Sequence, residues 1–325
     1  MKNKNENDLI ARIERAFGGT KSHALRVAMG DDAAVWRPPT GIELLLTCDW
    51  FLEGSHFLRG KHPPDAVGWK CLARAVSDVA AMGGHPRCFL LSLGVPRVLT
   101  GRWLTDFLHG LARASKAFHC RLAGGDTTHR DSVLIHIAVV GEVPPGGAVL
   151  RSGARPRDEI YVSGTLGQAE RGFRELRETR GMARPATLAL RKHLYPEPRL
   201  ALGQWLANNR LATAMMDLSD GLSTDLLRLC RASSVGAILE SDSLPLASVA
   251  HTPDARALAL HGGDDYELLF TVRKHQARAL PQQFQQLRLT KVGEITRDRK
   301  VLLRNAKGKT VPLFSGGWDP FRRSR

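Results

Sequence analysis

Residues 65–84 read DAVGWKCLARAVSDVAAMGG, and this stretch decides the fold class. Its apolar residues recur at close to helical spacing and predict an amphipathic helix over 65–82; they are Val67, Cys71, Ala75, Val79 and Met82. Gly83, Gly84 and Pro86 end that helix. Phe89–Val95 follows as a short apolar run, which is typical of a buried strand.

The same mixture of patterns extends outward in both directions. Before the helix, Glu43–Asp49 predicts a strand, and after it Thr100–Phe118 predicts a second amphipathic helix with Thr100 as its N-cap. Further strands are predicted at Ser132–Val143, Glu159–Ser163, Ala212–Leu218, Leu268–Val272 and Lys291–Ile295. Further helices are predicted at Gly167–Arg180, Ala186–Leu194 and Leu222–Ala232. Mixed helices and strands in both halves predict an α/β (α+β) fold.

A cluster of turn residues, Pro144-Pro145-Gly146-Gly147, marks the expected domain boundary. The chain has 325 residues, which is enough for two domains of ordinary size. We therefore predict an N-terminal α/β domain over residues 1–146 and a C-terminal α/β domain over residues 147–325.

Composition and charge argue against several classes of protein and of site. The five cysteines are scattered without a C-x-x-C pair, so neither the common zinc spacings nor a disulfide framework is expected. No apolar run reaches the length of a membrane span, and the polar N-terminus is not a secretory signal. A cytoplasmic location with reduced thiols is the expectation. The net charge of +15 is spread along the chain, so binding to nucleic acid is not favoured.

Aspartates carry the chemical signal. They lie beside glycines, at the ends of apolar runs or inside an apolar helix: Asp31, Asp32, Asp49, Asp78, Asp126, Asp217, Asp220, Asp264 and Asp265. Turns are predicted where they follow glycine, at Gly30–Asp32, Gly124–Asp126 and Gly262–Asp265, and any one aspartate alone is adequately explained as a turn residue. Asp78, however, lies in a stretch so apolar that its charge needs a cation or dedicated donors.

Carboxylates in a basic chain indicate a divalent metal, and hard oxygen ligands favour Mg²⁺ or Ca²⁺ over zinc. Because Mg²⁺ commonly binds a few carboxylates together with phosphates, the pattern favours nucleotide chemistry. The usual nucleotide motifs are missing. Gly308-Lys309-Thr310 imitates the end of a Walker A loop, but Leu303 stands where that loop needs glycine.

The ordered motifs resemble the thiamine-monophosphate kinase family, of the superfamily that includes aminoimidazole ribonucleotide synthetase. The resemblance covers nearly the whole chain. It rests on Gly30–Ala33, Thr47–Asp49, Gly54–Phe57, Ser77–Gly83, Gly124–Thr128, Arg151–Ala154, Asp217–Gly221 and Gly262–Leu268. G-x-H-F and G-G-[DE]-D-Y-E-L are the motifs most particular to this family.

The resemblance implies a two-domain aminoimidazole ribonucleotide synthetase-like fold and a homodimer, with metal, ATP and dimer contacts in the N-terminal domain. It implies ATP-dependent phosphorylation of thiamine monophosphate to thiamine diphosphate, with several Mg²⁺ ions. The implied metal ligands are Asp32, Thr47, Cys48, Asp49, Asp78, Asp126, Asp217 and Asp220. The implied ATP contacts are Gly125, Asp126, Arg151 and Ser219, and the implied acceptor contacts are His56, Asp264 and Trp318.

One departure concerns Cys48, where the family usually has a hydroxyl residue. A thiol is a poor ligand for Mg²⁺, so Cys48 could contribute only its backbone carbonyl. The chemistry otherwise agrees with the family: the acceptor is a phosphate monoester that needs no general base, and catalysis rests on positioning and charge neutralisation. Arg151 could add a fixed charge on the phosphates, and Trp318 could pack on the acceptor or serve only in domain packing.

Alternatives remain open at the level of sequence. Selenophosphate synthetase has a catalytic cysteine near the N-terminus, whereas the first cysteine here is Cys48. A hydrogenase-maturation protein has a C-terminal cysteine, whereas this chain ends in Arg323-Ser324-Arg325. A basic nucleic-acid-binding protein with a structural metal, and a kinase-like protein that has lost activity, are the remaining readings.

Overall fold

The computed structural model describes residues 6–17, 24–29, 33–247 and 254–321. Within these ranges the α-helices are α1 Glu6–Phe17, α2 Pro64–Ala81, α3 Arg102–Ala117, α4 Gln168–Glu178, α5 Leu188–Leu194, α6 Leu200–Asn208, α7 Leu222–Ser233 and α8 Ala255–His261. The strands of the first half are β1 Leu25–Val27, β2 Val35–Trp36, β3 Glu43–Leu52, β4 His85–Val95, β5 Arg121–His129 and β6 Leu134–Val143. Those of the second half are β7 Glu159–Ser163, β8 Ala212–Asp217, β9 Gly236–Glu240, β10 Leu268–Val272, β11 Gln283–Phe284, β12 Leu287–Thr296, β13 Val301–Arg304 and β14 Thr310–Pro312.

The chain forms two compact units. The first unit comprises residues 1–79, 84–146 and 176–185, and the second comprises residues 80–83, 147–175 and 186–325. The chain therefore leaves the long N-terminal part of the first unit and enters the second unit between Gly146 and Gly147. Among the described residues, no helix is both long enough and apolar enough to cross a membrane.

The first unit is built on a four-stranded sheet with the order β3-β6-β4-β5. β3, β6 and β4 pair antiparallel to their neighbours, and β4 pairs parallel to β5. Because strand side chains alternate between faces, Thr47, Asp49 and the buried Phe51 share one face of β3. We call this the helical face, since α2 lies against it. We call the other the open face; it carries Leu44, Leu46, Cys48, Trp50, Leu90 and Asp126.

Glycines bring α2 and α3 into close contact. A β-carbon at Gly68 of α2 would lie 2.1 Å from the carbonyl oxygen of Phe107. A β-carbon at Gly110 of α3 would lie 1.9 Å from that of Asp65. Real atoms cannot approach that closely, so only glycine permits this spacing of the two helices. The contact fixes α2, which carries Asp78.

The second unit is built on an eight-stranded sheet, with the order β14-β13-β9-β12-β7-β10-β8 and with β11 paired to β12. Its core lies on both sides of the sheet. One cluster joins the sheet to α7 and α8 through residues such as Met216, Leu226 and Leu260. The other joins it to α6 through Met215, Leu206 and Phe270. The end of β8 lies beside the start of β10, since the two strands are antiparallel and Asp217 pairs with Leu268.

Most predicted elements are confirmed, and two local predictions are wrong. Thr100 does not cap α3, because Gly101 occupies the N-cap position and the Thr100 hydroxyl bonds to the carbonyl of Arg97. Gly124–Asp126 is not a turn, because the segment lies inside β5. A β-carbon at Gly125 would lie 1.9 Å from the carbonyl oxygen of Leu91, so this glycine serves the close pairing of β5 with β4.

Candidate functional site

The first group of candidate residues lies between β3 and α2 in the first unit. The hydroxyl of Thr47 donates a 2.5 Å hydrogen bond to Oδ2 of Asp78. Asp49 lies two residues further along the same face, with its Oδ2 3.7 Å from Nε of Arg74. The sequence predicted that Asp78 needs a dedicated donor in its apolar helix, and Thr47 provides one. The structure thus brings Thr47, Asp49 and Asp78 to one side of the sheet.

Two cations on α2 accompany these carboxylates. Lys70 and Arg74 precede Asp78 at intervals of four residues, so all three lie along one side of the helix. The side chain of Lys70 is buried. The guanidinium of Arg74 lies 5.4 Å from the centre of the Phe51 ring. Neither cation was singled out in the sequence, although the i, i+4, i+8 spacing with Asp78 could have indicated them.

Asp126 is not part of this group within one chain. It pairs with Ser92, which pairs with His136, so Asp126 lies on the open face. Its strand β5 is separated from β3 by two strands, which places Asp126 roughly 14 Å from Asp49 at the usual strand spacing. Gly125 precedes it on β5, and both residues are exposed.

Cys48 and His56 are placed by β3 and the turn after it. Alternation directs the thiol of Cys48 to the open face, away from Thr47 and Asp49, and the residue is exposed. Nδ1 of His56 accepts a 3.0 Å hydrogen bond from the backbone N–H of Leu52. A neutral His56 ring therefore carries its hydrogen on Nε2 and can donate from there.

The second group of candidates surrounds the end of β8 in the second unit. Asp217 is buried at the last position of β8, and Ser219 and Asp220 follow before α7 begins. Asp220 Oδ2 lies 2.5 Å from a guanidinium nitrogen of Arg228, which also reaches Asp225 Oδ1 at 2.9 Å. Asp225 accepts hydrogen bonds from the backbone N–H groups of Asp220 and Gly221. The Arg228 bridge is a feature that sequence analysis missed.

Burial, with the charge of Asp220 nearby, raises the pKa of Asp225 to about 7. The loop before α7 is also constrained by Gly221, which has a φ of 107°. A β-carbon there would lie 2.9 Å from the carbonyl carbon of His261. Glycine is therefore required for both backbone conformation and space.

Asp264 lies directly beside this loop. Its backbone N–H donates to the carbonyl of Ser219 at 2.8 Å. Its Oδ1 accepts a 2.7 Å hydrogen bond from the hydroxyl of Tyr266, and its Oδ2 lies 3.9 Å from Nδ1 of His193. Asp264 and Tyr266 both have positive φ, at 66° and 48°. For a buried tyrosine this is a costly conformation, and such strain concentrates at functional sites.

Trp318 reaches the same place from the C-terminal segment, where its backbone N–H donates to the carbonyl of Asp220 at 3.0 Å. Its side chain is 48% exposed. Arg151 is not brought to this group. Its carbonyl accepts from Ser233 at the far end of α7, roughly 17 Å from the start of that helix.

The donor chemistry of both groups fits Mg²⁺. Asp32 lies outside the described residues. Among those that are described, no three or more His, Cys, Asp or Glu side chains are gathered closely enough to hold a metal. Mg²⁺ seldom uses an all-protein cage and typically binds one or two carboxylates together with substrate phosphates. The oxygen-only sets Thr47, Asp49 and Asp78, and Asp217 with Asp220, agree with that mode.

Comparison with known families identifies the family to which the fold belongs. Residues 30–143 match the family described as AIR synthase related protein, N-terminal domain, and residues 145–304 match its C-terminal domain. Together these matches cover most of the chain. The two sheets described above are therefore those of an AIR synthase related protein.

Individual relatives show which family of AIR synthase related proteins the chain belongs to. Thiamine-monophosphate kinase of Escherichia coli strain K12 is 37% identical over 319 residues, which is 95% of this chain and 97% of that protein. The crystal structure of thiamine-monophosphate kinase from Stenotrophomonas maltophilia K279a has a TM-score of 0.81 and 34% identity, and covers 93% of this chain and 96% of that chain. The structure of AaThiL complexed with AMPPCP and TMP has a TM-score of 0.77 and 33% identity, with 99% and 98% covered. The chain belongs to the thiamine-monophosphate kinase family.

Proposed function

We propose that this chain phosphorylates thiamine monophosphate with ATP and forms thiamine diphosphate. The observation that carries the proposal is the likeness to AaThiL complexed with AMPPCP and TMP, which extends over 99% of this chain at 33% identity. It is supported by the family membership and by two clusters of carboxylates, one between β3 and α2 and one at the end of β8.

In this reaction one phosphorus–oxygen bond forms and one phosphorus–oxygen bond breaks. A phosphate oxygen of the acceptor forms a bond to the γ-phosphorus, and the bond from that phosphorus to the β–γ bridging oxygen breaks as ADP leaves. The acceptor oxygen is already largely deprotonated near neutral pH, so no proton has to be removed from the nucleophile. The obstacle is repulsion between anions, and the residues must position and neutralise them.

We assign the residues accordingly. Thr47, Asp49 and Asp78, and Asp217 with Asp220, would hold Mg²⁺, with Asp32, Asp126 and the carbonyl of Cys48 as further proposed ligands. Bound Mg²⁺ supplies charge neutralisation for the transferring phosphoryl group. Gly125, Asp126, Arg151 and Ser219 are assigned to ATP. His56, Asp264 and Trp318 are assigned to the acceptor, with Asp264 held by Tyr266 and His56 able to donate from Nε2.

We also propose a homodimer formed through the open face of the first unit. Leu46 is 75% exposed and Trp50 is 55% exposed, with Leu44 and Leu90 beside them. Contiguous exposed apolar residues mark an interaction surface, and the edge strands β3 and β5 pair with no further strand within the part of the chain that the structure describes. If the two copies face each other through these open faces and also pair along their edge strands, β5 of one chain lies beside β3 of the other. Asp126 would then lie beside the edge strand β3 of the partner, next to the segment that carries Cys48 and Asp49, where it could join them in holding Mg²⁺. A cytoplasmic location remains part of the proposal.

The experiment is a direct assay of thiamine diphosphate from purified protein, ATP and thiamine monophosphate, with and without Mg²⁺. We expect product only with Mg²⁺, and a large loss in Asp126→Asn. Asp106→Asn is the matched control, because it removes an exposed carboxylate from α3 of the same unit. A folded wild-type protein that makes no product with Mg²⁺ present would overturn the proposed function.

A further inference from the structure

The C-terminal segment after β14 is attached to the first turn of α7 by a series of backbone and side-chain hydrogen bonds. The N–H of Gly316 donates to the hydroxyl of Ser223 at 3.2 Å, and the N–H of Gly317 donates to the hydroxyl of Thr224 at 3.1 Å. The N–H of Trp318 then donates to the carbonyl of Asp220. Three successive backbone groups are thus matched to three acceptors at one helix terminus.

Ser223 is fully buried and links this segment to a third element. Its oxygen lies 2.8 Å from Nδ1 of His261, the last residue of α8. Because the Ser223 oxygen accepts from Gly316, its own hydrogen is available to donate to Nδ1. Burial lowers the pKa of His261, which agrees with a neutral ring that accepts at this nitrogen. His261 leads directly into Gly262, Gly263 and Asp264.

The two glycines of the segment are required by the closeness of this attachment. A β-carbon at Gly317 would lie 1.9 Å from the carbonyl oxygen of Asp220. A β-carbon at Gly316 would lie 2.5 Å from Nδ1 of His261. Any other residue would push the segment away from both elements, because these contacts are far below van der Waals distance.

We propose that Ser223, through its bonds to Gly316 and His261, is a positioning residue that fixes Trp318 relative to Asp264 for binding of the phosphate acceptor. This inference rests on the proposed function of Trp318 and Asp264. Ser223 is buried and cannot touch the acceptor itself. Its contribution must therefore pass through the backbone of residues 316–318 and through His261.

This mechanism predicts a selective kinetic effect. Ser223→Ala removes the acceptor of the Gly316 N–H and the partner of His261. The free energy that holds the segment in place then falls by about the contribution of one hydrogen bond. The KM for thiamine monophosphate should rise about tenfold, while kcat and the KM for ATP stay near their wild-type values. Ser115→Ala is the matched control, since it removes one serine hydrogen bond, to the carbonyl of Cys120, in the other unit.

A double-mutant cycle separates positioning from a general loss of structure. If Ser223 acts through Trp318, the effect of Ser223→Ala on the KM for the acceptor should disappear in a Trp318→Ala background. An equal effect in both backgrounds would overturn the proposal. Thr224→Val, which keeps the shape of the side chain but removes the acceptor for Gly317, gives a second variant if Ser223→Ala does not fold.

Hydrogen exchange provides a readout that does not depend on activity. The amides of residues 316–318 should be protected in the wild type and should lose that protection in Ser223→Ala or Thr224→Val, while β10 stays protected. Unchanged protection would overturn the proposed attachment. An inactive wild type with this pattern of exchange would instead overturn the proposed function alone.

Discussion

Thr47 and Asp78 connect the edge strand β3 of the N-terminal sheet to α2, with the Thr47 hydroxyl 2.5 Å from Asp78 Oδ2. The bond orients the carboxylate of Asp78 relative to β3. We expect Asp78→Asn to reduce the rate of thiamine diphosphate formation by about a hundredfold or more, because a carboxylate that would hold Mg²⁺ against the transferring phosphoryl group is removed. The rate at saturating Mg²⁺ is the measurement.

Thr47 itself is tested by a pair of substitutions. Thr47→Val removes the donor and should cost about tenfold in activity, whereas Thr47→Ser keeps the hydroxyl and should retain most of it. If Thr47→Val is as active as Thr47→Ser at every Mg²⁺ concentration, the hydrogen bond has no part in holding Asp78.

Asp49 and Asp126 allow a test of the proposed dimer. Asp49→Asn and Asp126→Asn homodimers should each be inactive. A heterodimer of the two variants, purified through two different tags, should recover about half of the wild-type activity, because one of its two sites then has both carboxylates. The control is a doubly tagged dimer in which both chains carry Asp49→Asn. Absence of recovery in a verified heterodimer means that Asp126 does not act on the partner's group.

The buried carboxylate of Glu267 should make a pH-dependent contribution to the stability of the second unit. The side chain is 1% exposed, and it accepts from Arg199 Nε at 2.8 Å, from Ser163 at 2.6 Å and from Lys192. Burial opposes its ionisation, but the charges and hydrogen bonds of Lys192 and Arg199 hold its pKa below the ordinary value. A lowered pKa means that the folded state favours the ionised form.

Its contribution should therefore be complete above the ordinary glutamate pKa of about 4.3 and should be lost as the pH falls through the lower folded pKa. Glu267→Gln should reduce the free energy of unfolding by about 3 kcal/mol at pH 7, since two buried cations lose their partner. Urea unfolding from pH 7 down to pH 3 measures both effects. Glu197→Gln is the control, because Glu197 is 73% exposed although it also lies near Arg199. Equal losses for the two variants would contradict the prediction.

Gly110 tests the helix contact that supports α2. Gly110→Ala would gain about 1 kcal/mol of helix propensity, but its β-carbon would lie 1.9 Å from the Asp65 carbonyl oxygen. The clash should dominate and lower the free energy of unfolding by about 3 kcal/mol. Gly60→Ala, which has no atom within 4 Å of the added carbon, should leave stability nearly unchanged. Thermal or urea unfolding that ranks the two variants the other way would contradict the packing argument.

The sequence predicted those features that depend on local pattern. The apolar periodicity of residues 65–82 located α2 within one residue at each end, and the apolar setting of Asp78 indicated a required donor. The Gly124–Asp126 prediction failed because glycine has low strand propensity, whereas β5 is formed by its pairing with β4. No local pattern could show that two strands separate Asp126 from Asp49. The Arg228 bridge was missed because its partners Asp220 and Asp225 meet only once the loop before α7 has folded.

The placement of Cys48 on the open face has a practical consequence for chemical labelling. The other four cysteines are buried, and burial raises the pKa of Cys88 to about 11 and that of Cys230 to about 12, and also raises those of Cys71 and Cys120. Thiolates are the reactive species, so these four react slowly with alkylating dyes. The unaltered chain therefore carries its own attachment point for a fluorophore beside Leu46 and Trp50. A dye at Cys48 would report directly on whether this surface is free or covered.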